Sequence, residues 1–180
     1  MHPMTEANLH SAFSGESMAH MRYRTFADVA EKEGFVNVAR LFDAISFAER
    51  IHATNHFRKM PRTITRVSAE APFGNGTTSQ NLQHGIDGET FEIDEMYPVY
   101  LEVAKFQGEK LAAQSFDWAW NTEKVHKRMF AAAKALVDSG KDYDQTRIQI
   151  CRVCGYTIEG DAPDICPICK AKKEFFREFA

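Results

Sequence analysis

Two short stretches, ERIH at 49–52 and EKVH at 123–126, each set a carboxylate and an imidazole three positions apart. Positions i and i+3 of a helix are neighbours, so each pair can aim one oxygen and one nitrogen donor at a common point. Both pairs lie on apolar stripes. Val38, Leu41, Phe42, Ile45 and Ala48 step by threes and fours onto Glu49 and His52, and Leu111, Ser115 and Ala119 step onto Glu123 and His126 before Phe130, Ala133 and Val137. A carboxylate on a core-facing stripe is costly unless charge of the opposite sign meets it there. Glu16 precedes Glu49 by 33 positions and Glu92 precedes Glu123 by 31, so the chain repeats a helix with Glu followed by a helix with ExxH. Converging carboxylates repel one another unless divalent cations neutralise them. Carboxylates can also bridge two ions, which imidazole cannot. The expected arrangement is a pair of iron or manganese ions with bridging glutamates and terminal histidines, since an oxygen-rich donor set suits these metals better than a closed structural zinc site.

Cys151, Cys154, Cys166 and Cys169 form a second constellation, two CxxC pairs able to close a tetrahedral thiolate site. Rubredoxins and zinc ribbons share this spacing. Gly155 favours the rubredoxin reading, because a positive φ there lets backbone N–H groups point at sulfur. Iron is the expected metal, with zinc left open by thiolate spacing alone.

These residues need rigid rods to hold them. The pattern predicts helices over Thr5–Glu33, Val36–Met60 (stopped by Pro61), Glu89–Gln107 (kinked at Pro98, broken at Gly108) and Glu109–Asp138. Gly15, inside the first helix, suggests close approach by a neighbouring helix. Residues 61–88, rich in Pro, Gly, Ser and Thr, form one long connection, and one long crossover between short turns is the connectivity of a ferritin-like four-helix bundle. The fold class is therefore mainly α: a bundle over 1–140, a polar linker at 138–147 and a small metal-stapled domain over 148–180, too short to hold itself by apolar burial.

The chain has 180 residues, a formal net charge of -3 and a pI of about 6.2, so it lacks the basic field that collects nucleic acid or anionic lipid. No stretch reaches the roughly 18 apolar residues of a membrane helix, and no secretory leader is evident at MHPMTEANLH. Neither nucleic acid nor membrane is an expected partner, and the cytoplasm is the expected compartment.

Taken in order, GES at 15–17 with Tyr23 downstream, ERIH, EMYP at 95–98, EKVH, CRVCGY and CPIC resemble the rubrerythrin family along the whole chain. The resemblance implies two non-haem irons bridged by Glu49 and Glu123, with Glu16 serving one and Glu92 and His126 the other. Glu95 is the implied additional carboxylate, exchanging with His52 on the first iron upon reduction, and Tyr23 and Tyr100 are the implied flanking tyrosines. It further implies a rubredoxin-like domain holding one iron through the four cysteines, and head-to-tail homodimers in which that domain approaches the partner's site. The implied activity is a peroxidase: hydrogen peroxide is reduced to water with electrons from an external reductase or rubredoxin, protecting against oxidative stress. A ferroxidase or iron-handling role, and a non-enzymatic zinc-ribbon binding module, are the alternatives. Lys170 stands where free rubredoxins commonly carry a second knuckle glycine. His20, His56, His2, His10 and His84 carry no ligand signal of their own.

Overall fold

The computed structural model describes residues 1–180. Four helical rods form a bundle: α1 (Pro3–Glu33), α2 (Val36–Phe57), a composite third rod of α3 (Thr78–Phe91) and α4 (Tyr97–Phe106), and α5 (Lys110–Val137). Gly34, at φ 89, ends α1 in the left-handed conformation, and its N–H reaches back to the Glu31 carbonyl. Pro3 opens α1 where its missing N–H costs nothing. Thr5, expected as the cap, lies inside the helix and donates its hydroxyl to Gln107 at 2.6 Å.

The largest departure from the expected elements is in the third rod. It begins at Thr78, not Glu89, under a reciprocal cap in which Thr77 and Gln80 satisfy each other's backbone N–H groups. Gly85 and Gly88 make this stretch read as a loop. Gly85 is there for packing: a Cβ would stand 2.9 Å from the Phe130 ring, so the glycine lets α3 approach α5. A single π-helical turn, Glu92–Met96, joins α3 to α4 and absorbs the register change ahead of Pro98. The crossover accordingly runs over 58–77, shorter than expected.

The apolar interior is split in two. One cluster gathers Tyr23, Phe26, Phe42, Ile45, Leu82 and Phe130, with Phe42 and Phe130 at 5.2 Å between ring centroids. The other, nearer the α1 N-terminus, holds Leu9, Ala12, Tyr97, Leu101 and Phe116. Between Ala12 and Ala19 on α1, and between Ala119 and Met129 on α5, the buried residues are Glu16, Glu123, His126 and Thr122. A polar belt thus crosses the bundle between two greasy ends.

The C-terminal domain is a three-stranded antiparallel sheet, ordered β2 (Thr157–Glu159), β1 (Ile148–Cys151), β3 (Phe176–Phe179). It packs on its own bundle. Ile148 and Ile150 join the larger apolar cluster, and Phe47 of α2 meets Phe179 at 5.6 Å. The connecting segment is pinned rather than loose. Asp142 accepts hydrogen bonds from the Asn37 and Val38 amides at 2.8 and 3.2 Å, capping α2 from the far end of the sequence, and Tyr143 is buried beside it.

Candidate metal centres

The belt residues bring their donor atoms within 4.8 Å of one another in two groups: Glu16, Glu49, His52 and Glu123, and Glu49, Glu89, Glu123 and His126. Glu49 and Glu123 belong to both. All six are buried. His52 Nδ1 lies 2.9 Å from both Glu49 and Glu123, and His126 Nδ1 lies 3.2 Å from Glu49 and 2.8 Å from Glu123.

The ionisation of this set shows what it lacks. Burial, reinforced by the neighbouring carboxylates, pushes the carboxyls of Glu16, Glu89 and Glu92 well above the ordinary range. Burial would raise Glu49 too, yet His126 and His52 bring it down to about 2. Burial opposes the charged form of His126, but Glu49 and Glu123 raise it to about 9, and His52 is likewise raised. Protons stand in for missing positive charge. Eight buried side-chain polar atoms have no hydrogen-bond partner, and all except Thr78 Oγ1 belong to these residues: Glu16 Oε2, Glu49 Oε1, His52 Nε2, Glu89 Oε2, both Glu123 oxygens and His126 Nδ1. Orphaned donor atoms converging in a dry interior fit a pair of divalent cations.

Two expected residues are displaced by one helical turn. The place expected for Glu92 is filled by Glu89, which the sequence reading missed because the helix carrying it was started too late. Glu92 is half-buried beside the set and acts electrostatically on Glu16, Glu49 and Glu123 without joining either group. Glu95, expected as the additional ligand, is exposed and lies outside both groups. The spacing Glu89-x-x-Glu92, continuing the Leu82 and Gly85 face, was the available signal.

The tyrosines are sorted similarly. Tyr23 donates to Glu89 Oε1 at 2.9 Å, as its position on the Glu16 face suggested. Tyr100 instead donates to Ser11 at 2.9 Å, away from the belt. Its expected place is taken by Tyr97, which is fully buried and donates to Glu16 Oε1. His56, which belongs to neither donor group, extends this contact: its Nε2 is 3.0 Å from the Tyr97 hydroxyl and its Nδ1 is 3.1 Å from Ser115. Desolvation holds His56 down to about 3, so it is neutral. His20 is bound to Ser46, and Gly15 has nothing within 4 Å of its Cβ position, contrary to the close approach expected of it.

In the C-terminal domain the four sulfurs also lie within 4.8 Å of one another. Cys151–Cys169 and Cys154–Cys166 are each 3.6 Å apart, far from a disulfide and close to the edge of roughly 3.8 Å expected for a tetrahedron with metal–sulfur bonds of about 2.3 Å. Gly155 takes φ 88 and donates to the Cys151 carbonyl at 2.9 Å; Lys170 takes φ 65 and donates to Cys166 at 3.1 Å.

The two constellations touch. Both ExxH imidazoles present Nδ1 to the carboxylates and Nε2 to the cysteine domain. His126 Nε2–H donates to Thr157 Oγ1 at 2.8 Å, and Thr157 donates onward to the Gly155 carbonyl at 3.1 Å. That hydrogen bond fixes a proton on Nε2, so Nδ1, facing Glu49 and Glu123, is the nitrogen that would give up its proton to a metal ion. His52 Nε2 faces Gly155 so closely that a Cβ there would stand 2.2 Å from it. Asn55 adds a hydrogen bond to the Val153 carbonyl at 2.9 Å, and Trp118 of α5 packs against the cysteine cluster.

The family model described as Rubrerythrin matches residues 7–134, and that of the rubrerythrin rubredoxin-like domain matches 149–177. Rubrerythrin-2 of Clostridium acetobutylicum is 43% identical over 178 residues, covering 98% of this chain and 97% of that protein. Nigerythrin of Nitratidesulfovibrio vulgaris is 32% identical, covering 97% and 86%. The structure of partially reduced nigerythrin superposes with a TM-score of 0.85 at 31% identity, covering 97% of this chain and 86% of the other.

Proposed function

From the premise that the chain belongs to the rubrerythrin family and carries the carboxylate–histidine residues of a di-iron site beside a four-cysteine rubredoxin-like site, we propose that this oxidoreductase reduces hydrogen peroxide to water. Its electrons enter one at a time through the cysteine domain from an external one-electron reductase or rubredoxin, and its setting is a reducing cytoplasm. The observation that carries this reading is the backing of both belt histidines by the cysteine knuckle. Iron storage has no use for such a connection.

When bound, the two irons supply a pair of reducing equivalents for a two-electron substrate. Glu49 and Glu123, common to both groups, would be the carboxylates shared by the two ions. Glu16 and His52 would complete one position, and Glu89 and His126 the other. Tyr97 and Tyr23 each donate to a terminal carboxylate, fixing which oxygen faces inward. The redox-linked exchange assigned by resemblance to Glu95 and His52 passes to Glu92, the acid on the edge of the set. Burial and the neighbouring carboxylates push its carboxyl well above the ordinary range, which suits it to carry a proton at the edge of the set. The resemblance implies a head-to-tail dimer in which the cysteine domain serves a partner's bundle; the contact of the cysteine knuckle with both belt histidines of its own chain supports a route within one subunit.

The test is stopped-flow mixing of the fully reduced protein with stoichiometric hydrogen peroxide or dioxygen. Peroxide should oxidise the di-iron site rapidly, well ahead of dioxygen. Equal rates, or no rapid phase with peroxide, contradict the proposal.

A further inference from the structure

A cleft of about 770 Å³ opens on the face of the bundle opposite the cysteine domain. Its walls come from α1 (Ala7, Met18, Arg22), the third rod (Phe91, Met96) and the crossover (Val67, Pro72). Its floor includes Gly15 and Glu92. Gly15 adjoins Glu16, and Glu92 flanks the whole set, so the cleft ends at the metal centre.

Its size and character do not match hydrogen peroxide alone. A water molecule's share of liquid is about 30 Å³ and hydrogen peroxide has only two heavy atoms, whereas pockets of about 300–1,000 Å³ suit small organic molecules. Aliphatic, thioether and aromatic side chains supply seven of the nineteen lining residues, beside serines, glycines and the histidines His10 and His84. Among its charged residues Arg22 faces Glu70, Asp87 and Glu92, a balance that disfavours an anionic occupant. The floor is kept open by a helix-interior glycine that no packing contact requires, since a Cβ at Gly15 meets nothing within 4 Å. Gly in such a position costs about 1 kcal/mol relative to Ala, so the space it leaves is its remaining structural consequence.

We infer that this cleft binds the carbon body of a neutral organic hydroperoxide, with Gly15 as the residue that sets its size. The inference rests on the peroxide-reduction reading and names a second substrate class for the same site. The O–O bond breaks: ROOH, two electrons and two protons give ROH and water. The electrons are those delivered through the cysteine domain by the external one-electron reductase, and both protons come from solvent.

Two measurements on the full-length, iron-loaded protein test it. In calorimetric titration, 2-phenyl-2-propanol, the alcohol product of cumene hydroperoxide, should bind saturably at one site per chain. Gly15→Leu should weaken that binding at least about tenfold, as expected where added methylenes fill an apolar site. In turnover, the same variant should raise KM for cumene hydroperoxide with little change in kcat, and lower the cumene-to-hydrogen peroxide selectivity about tenfold or more. Gly15→Ala should fall between. No saturable alcohol binding by the wild type, equal effects of Gly15→Leu on both peroxides, or a dimer in light scattering that excludes the alcohol would each overturn it. If hydrogen peroxide itself is not reduced, the proposed function fails separately, while alcohol binding weakened by Gly15→Leu still supports the cleft as a ligand site.

Discussion

At the residue scale, the placement of Glu89 within a donor group, with Glu92 and Glu95 outside both, has direct consequences. Glu89→Gln should cost the bundle iron, measured as metal per chain, because it removes a donor from the second group. Glu95→Gln should leave the iron content unchanged, because that side chain is exposed. The proton balance supplies a second test. Glu16, Glu89 and Glu92 have raised carboxyls, so in the metal-free chain they hold their protons to higher pH than ordinary carboxyls do, and His126, raised to about 9, is protonated at neutral pH. Metal must displace these protons, so affinity should rise with pH up to the histidine value of about 9. Titration calorimetry in buffers of different ionisation enthalpy should register net proton release; proton uptake would contradict it. Lys170 provides a stability test. Its φ of 65 is a conformation that costs a non-glycine residue about 1–2 kcal/mol, and its side chain is exposed, so Lys170→Gly should raise the domain's melting temperature.

At the element scale, the docking of the cysteine domain on α2 and α5 depends on Gly155 and Thr157. Gly155→Ala places a methyl group into the His52 ring and strains a backbone at φ 88, so it should lift the domain off the belt. Electron transfer from the cysteine iron to the bundle should slow by at least about tenfold while the visible spectrum of the thiolate centre is retained; unchanged transfer would remove the histidine contact from the route. Thr157→Val keeps the volume and loses the acceptor for His126 Nε2–H, so its effect should fall on His126 orientation and be smaller. The elements also show how far the sequence could be read. ERIH and EKVH were legible because the apolar stripe continues through them on long, regular helices. Glu89 was not, since Gly85 and Gly88 imitate a loop and only the tertiary contact of Gly85 with Phe130 explains them. Tyr97 and Tyr100 differ by three positions across a π-helical turn, a local change of register that periodicity cannot anticipate. The docking face of the cysteine domain depends on contacts between distant segments and has no sequence signature.

At the scale of the whole molecule, the bundle accepts a destabilising layer of carboxylates and histidines between two apolar clusters, and cations turn that layer into a cross-brace joining all four rods. The cysteine domain closes one face of the belt, and the cleft opens on the other. On the proposed function, electrons and substrate approach the same centre from opposite sides. The central claim is best tested by anomalous diffraction at the iron edge from crystals of the iron-loaded protein. Three peaks are expected per chain: two inside the belt, both contacting Glu49 and Glu123, with Glu89 rather than Glu92 beside the His126 position, and one among the four cysteines. A single peak at the cysteines, with the belt carboxylates metal-free, would contradict the account.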